Sequence, residues 1–82
     1  MSHFVYIIQS LKDLKYYIGE TSNVEERLVF HNSRKQRSTK SRAPFRLVLT
    51  EKYFTRHEAL KREKELKSWK GGIKFKSLIQ GM

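Results

Sequence analysis

The chain is predicted to be an α/β (α+β) domain in which a small three-stranded antiparallel sheet is flanked by helices. Three observations predict it. Two short β-branched and aromatic runs, Phe4 to Ile8 and Lys15 to Gly19, lie close enough along the chain to pair as a hairpin. A third run, Phe45 to Phe54, alternates loosely after the single proline. The segments between and after these strands space their apolar residues at helical intervals, the first opening on the cap candidates Thr21-Ser22-Asn23 and the long one stopped by Gly71-Gly72. With 82 residues the chain can build one thin core, so residues 1–82 are expected to form a single domain.

Each element has its own signature. Phe4-Val5-Tyr6-Ile7-Ile8 is apolar at every position, as a buried strand requires, and Ser10-Leu11-Lys12-Asp13 reads as the turn after it. Lys15-Tyr16-Tyr17-Ile18-Gly19 returns as the second strand. Thr21-Ser22-Asn23 offers a helix cap, with Asn23 and Glu26 competing against Ser22 and Glu25 as the capping pair. The helix from Val24 is expected to end near Asn32. A polar loop with room for a helical turn then leads to Pro44 and the third strand. The long helix from Arg56 to Lys70 is stopped by Gly71-Gly72, and Ile73 to Gln80 forms a short last helix. No internal repeat or second domain is visible.

One residue in the long helix stands where an acid is unexpected. At about 100° per residue, Ala59, Leu60, Leu66 and Trp69 form the apolar arc, and Glu63 falls inside it, between Ala59 and Leu60. Glu58 and Glu65 project away from that arc. A carboxylate held against a core loses hydration and asks for a partner: a metal ion, an arginine, or a lysine such as Lys67 one turn on. On the first helix Val24 and Leu28 define the buried side, and Arg27 and His31 share a flank one turn apart, able to reach one ligand.

The charge balance names a class of partner. Eighteen Lys and Arg against eight Asp and Glu give a formal charge of +10, more than solubility requires, and point to a polyanion. Arg34, Lys35, Arg37, Lys40, Arg42 and Arg46 form an acid-free stretch interleaved with Ser33, Ser38, Thr39 and Ser41, a mixture that suits phosphate oxygens. A second cluster holds Lys61, Arg62, Lys64, Lys67, Lys70, Lys74 and Lys76. No apolar run approaches the roughly 20 residues of a membrane span. The start lacks the basic region and cleavage site of a signal peptide, so a cytoplasmic protein is expected. The absence of cysteine excludes disulfides and thiolate zinc sites.

The same residues carry a family resemblance. Phe4-Val5-Tyr6, Tyr17-Ile18-Gly19-Glu20-Thr21, then Arg27 and His31-Asn32 resemble the opening of a GIY-YIG nuclease domain. Thr39-Lys40-Ser41-Arg42-Ala43-Pro44, Glu58 to Lys64 around Glu63, and Trp69 through Lys74 to Leu78-Ile79 extend the likeness over nearly the whole chain. The set is similar to the small stand-alone bacterial branch of that superfamily. Phe4 and Val5 stand where the family's first triad has Gly-Ile, with Tyr6 retained.

That resemblance implies a nuclease site made of Tyr6, Tyr17, Arg27, His31 and Glu63, with Glu63 as ligand to Mg²⁺ or Mn²⁺. It implies hydrolysis of a phosphodiester, in DNA rather than RNA. Arg34, Lys35, Arg37, Lys40, Arg42, Lys67, Lys70 and Lys74 are expected to contact the nucleic acid. The chemistry is coherent: Mg²⁺ can be held by a single protein carboxylate when substrate phosphate supplies further oxygens, and Arg27 can fork two donors onto a phosphate. Tyr6 as base would need roughly 4 kcal/mol to lose its proton at pH 7, so it either shares that burden with neighbouring cations or only orients water. His31 either joins the proton transfer or binds phosphate. The competing readings are a catalytically inactive nucleic-acid-binding module on the same fold and a basic RNA- or ribosome-associated protein.

Overall fold

The computed structural model describes residues 2–37 and 39–81. Ser38, one hydroxyl of the basic stretch, lies outside the described residues. The elements run β1 (His3–Ser10), β2 (Tyr16–Thr21), α1 (Val24–Asn32), a short 3-10 turn (Lys40–Arg42), β3 (Phe45–Tyr53), α2 (Arg56–Trp69) and α3 (Ile73–Gln80). Asn23 wins the competition for the first cap, since its side chain accepts from the Glu26 N–H at 3.0 Å. Thr55 and Glu58 form a complete capping box on α2.

The sheet is antiparallel in the order β2-β1-β3, with the most apolar strand in the centre. Tyr6 pairs with Gly19 on one side and Thr50 on the other. Successive residues of a strand face opposite ways, so the alternation along β1 distributes two cores. Val5 and Ile7 face α2 and α3 together with Ile18, Ala59, Leu66 and Phe75. Tyr6 and Ile8 face the other way, with Ala43, Phe45, Tyr17, Val24 and Leu28.

Two expectations change here. Leu60 is 40% exposed and outside the core, because α2 turns Ala59 and Leu66 toward the sheet and Leu60 lies about 100° round the helix from Ala59. On α1 the fully buried side chain is His31, 1% exposed, while Val24 and Leu28 are only partly covered and Arg27 is exposed.

Candidate active site

The site starts from a missing side chain. Tyr6 lies across the strand neighbour Gly19, and a Cβ at Gly19 would overlap the Tyr6 hydroxyl and ring. Only glycine lets the phenol lie flat over β2, so the glycine of Tyr17-Ile18-Gly19 sets the direction of Tyr6. Tyr17 precedes it by one step on the same face and packs in the same cluster.

From α1, His31 closes over both tyrosines, its ring 5.0 Å from that of Tyr17 and 6.0 Å from that of Tyr6. Its Nε2 is 3.0 Å from the Tyr6 hydroxyl and its Nδ1 is 2.9 Å from Thr39 Oγ1. Thr39 is itself fully buried and directs its hydroxyl to the Gln36 carbonyl at 3.5 Å. With the hydroxyl so directed, the Thr39 oxygen can accept from Nδ1–H, which is the tautomer that leaves Nε2 to accept from Tyr6. Burial first, and the Arg27 charge second, hold the His31 pKa below its ordinary value of 6.5, which keeps the ring neutral at pH 7.

The Tyr6 hydroxyl is the point on which the charged groups converge. Burial raises its pKa far above the ordinary tyrosine range, Tyr17, Glu63 and Glu20 add to the rise, and Arg27 opposes it. Tyr17, Arg27 and Glu63 thus each act on Tyr6, to which His31 is hydrogen-bonded, although Glu63 belongs to the helix on the opposite face of the sheet. Glu63 pairs with Lys67 at 3.0 Å, its side chain 17% exposed and that of Lys67 55%. Of the three partners open to it from sequence, the lysine one turn on is the one seen, and Arg27 instead lies 5.6 Å from the Phe30 ring. Beside Arg27 opens a cavity of about 730 Å³ lined also by Ser2, Thr21, Ser22, Asn23, Glu26 and Phe30. Neither Tyr6 nor Glu63 lines it.

Two residues of this neighbourhood had no assigned role. Glu20 places its carboxylate 3.3 Å from His3 and 3.5 Å from Arg56. Thr39 was grouped with surface hydroxyls suited to phosphate, but it is buried beneath His31. No pattern in the chain separates it from its serine neighbours, because its partner lies eight residues back on a different element.

Several of the expected cations have partners within the chain. Arg62 is committed to Glu51 at 2.8 Å and Glu65 at 2.6 Å and stacks 5.0 Å from Trp69. Its guanidinium holds the Glu51 carboxyl below the usual range, so it adds little to an external field. Arg42 pairs with Asp13 at 3.2 Å and sits 5.9 Å from the Phe45 ring. Lys67 faces Glu63, and Lys74 lies 5.4 Å from the Trp69 ring. Burial lowers the Lys70 pKa, with Arg42, Lys67 and Lys15 adding to the fall. Arg34, Lys35, Arg37, Lys40, Lys67, Lys70 and Lys74 are all exposed, and Arg42 is half-buried.

The donor chemistry fits a hard divalent cation of the Mg²⁺ kind, for which one carboxylate oxygen site suffices beside water and substrate phosphate. Among the described residues no group of three or more His, Asp or Glu side chains converges, so no all-protein metal cage is present.

Residues 2–76 match the GIY-YIG catalytic domain, and the chain belongs to that family. It is similar to a UPF0213 protein of Staphylococcus epidermidis, 41% identical over 80 residues and covering 96% of both chains. A UPF0213 protein of Staphylococcus aureus is 44% identical over 69 residues, 83% of each chain. Among solved structures, the solution NMR structure of a UPF0213 protein from Bacillus halodurans is 39% identical with a TM-score of 0.50, covering 83% of this chain and 72% of that one. The family makes nucleic acid the substrate class. Among the described residues no helix is long and apolar enough to cross a membrane.

Proposed function

We propose that the protein is a divalent-metal-dependent endonuclease that hydrolyses phosphodiester bonds, in DNA by preference. The observation that carries this reading is the hydrogen-bonded series Tyr6, His31, Thr39 beside Arg27 and Glu63. A module that only binds nucleic acid needs no buried phenol coupled to a neutral imidazole.

The series answers the difficulty of a tyrosine base. A phenol whose pKa lies above its ordinary 10.0 is protonated at pH 7, and a free phenolate would cost well over 4 kcal/mol. Tyr6 avoids that state by passing its own proton 3.0 Å to His31 Nε2 as its oxygen takes one from the attacking water. The phenolic oxygen is neutral before and after the transfer. Thr39 keeps Nδ1 as the protonated nitrogen, so that Nε2 is the one that receives. Arg27 offers two parallel donors to the non-bridging oxygens, where charge accumulates during attack. Tyr17 donates from the same face toward the phosphate. Glu63 would hold the metal, which when bound supplies positive charge to the phosphate and lowers the pKa of coordinated water.

The test is a cleavage assay with Mg²⁺ or Mn²⁺ on single-stranded, duplex and branched DNA and on RNA. Metal-dependent cutting that Glu63→Gln and Tyr6→Phe both remove is expected. Tight binding with no cutting on every substrate would instead support the inactive module.

A further inference from the structure

Three cations line one cavity of about 400 Å³: Lys12 from the β1–β2 turn, and two members of the basic stretch, Arg34 just past α1 and Lys40 from the 3-10 turn. Ser41 and Ala43 complete the described wall, which contains no acid. A hollow lined by one sign of charge concentrates counter-ions of the other sign. Its walls are tied together. The Ser10 hydroxyl receives the Lys12 N–H at 3.0 Å and the Asp13 N–H at 3.1 Å while donating to the Arg42 carbonyl. The Leu11 N–H donates to the Pro44 carbonyl at 2.8 Å. The turn that carries Lys12 is thereby fastened to the segment that carries Lys40.

Arg34 supplies an independent observation. Its φ of 65° is left-handed, and its N–H reaches the His31 carbonyl at 3.3 Å. This is the position after a helix C-cap where glycine is usual, since a Cβ there is disfavoured. Closing the helix accounts for the backbone and not for an arginine. Leu14 shares such a φ, so the backbone by itself assigns no role, and it is the seat of Arg34 on the cavity wall that motivates one.

We infer that this cavity seats a single backbone phosphate of the nucleic acid, held by Lys12, Arg34 and Lys40 outside the reacting centre. The inference rests on the proposed substrate class. The Arg34 backbone N–H bonds to the His31 backbone carbonyl, and Lys40 follows the Thr39 that holds the His31 imidazole, so a phosphate seated there fixes the strand in register with Tyr6. Lys12, which belongs to neither basic cluster of the sequence, becomes a binding residue.

Binding of a short DNA duplex in EDTA, followed over a range of salt, tests this for Lys12→Ala, Arg34→Gly, Lys40→Ala and the triple variant. One shared phosphate means that the triple change flattens the log–log salt slope by about 0.9 in all, and each single change by only a part of that. Arg34→Gly should also raise the melting temperature by about 4 °C while weakening binding, because it relieves the left-handed arginine. An unchanged slope in Arg34→Gly would show that the arginine only ends a helix and would overturn the site. A triple variant that loses about three units, the sum of its singles, would overturn it in favour of independent surface contacts. Absence of cleavage by the metal-loaded unmodified protein, with the shared-phosphate pattern intact, would remove the nuclease reading and leave the site standing.

Discussion

Val5 and Ile7 point to one face of β1 and Tyr6 and Ile8 to the other, and the two faces are built from different chemistry. Under α2 and α3 the cluster of Val5, Ile7, Ile18, Ala59, Leu66 and Phe75 is apolar throughout. Under α1 the fully covered groups include His31 and Thr39, hydrogen-bonded to each other and, through His31, to Tyr6. The apolar face can absorb a packing change without altering any charge. The polar face is directional, since each donor has one acceptor and the loss of either strands the other. One strand thus separates what holds the domain together from what it does, and Glu63 is the exception: it rides on the apolar-face helix and acts on the other side's tyrosine.

That exception gives the largest expected effect. Glu63→Gln should lower cleavage by about a thousand-fold, on the order of 4 kcal/mol in the transition state. Its stability should move by less than about 0.5 kcal/mol, because the lost partner is the half-exposed Lys67 one turn away. Single-turnover rates beside denaturant melts check both numbers. A loss of several kcal/mol in the melt would mean that Glu63 belongs to the packing side of the comparison.

Leu66→Ala reverses the pattern. Leu66 is fully buried beneath the sheet, and its truncation should cost about 3 kcal/mol of stability. The cleavage rate per folded molecule should be unchanged, measured well below the lowered melting temperature. A rate that falls with the packing would join the two faces.

Thr39→Val tests whether the polar face also stabilises. The valine keeps the shape and strands the His31 Nδ1–H, so a loss of about 2 kcal/mol is expected, with Thr39→Ser recovering most of it. The imidazole should shift its tautomer as well, which ¹⁵N chemical shifts of His31 report without any activity assay. Unmoved nitrogen shifts would exclude a role for Thr39 in fixing the ring.

The smallest effect is in pH. The folded-state pKa of His31 lies below the 6.5 of an unfolded histidine, so between the two values the unfolded chain binds more protons. The His31 contribution is therefore complete above about 6.5 and is lost as pH falls through that value toward the folded pKa. Melting temperatures should decline from pH 7 toward pH 5, and less so in His31→Asn. The cleavage rate should show its acidic limb in the same window, since only the neutral ring accepts the Tyr6 proton. A stability profile identical in both proteins would show that another group titrates there.

Much of this protein was legible in one dimension. The run Phe4 to Ile8, the cap at Asn23 and the Gly71-Gly72 stop placed the elements within a few residues, because strand period, capping and helix termination are decided by near neighbours. Glu63 was conspicuous for the same reason: its place on the helix follows from 3.6 residues per turn. The tertiary structure alone decided which groups meet. The order β2-β1-β3 laid Tyr6 over Gly19, and the burial of α1 brought His31 between Tyr6 and Thr39. It also neutralised Arg62 with Glu51, eleven residues away, moved Leu60 out of the core, and set Lys12 beside Arg34 and Lys40. Charge counts and periodicity carry no information about such distances, because hydrogen bonds and Coulomb forces act over a few ångströms in space regardless of separation along the chain.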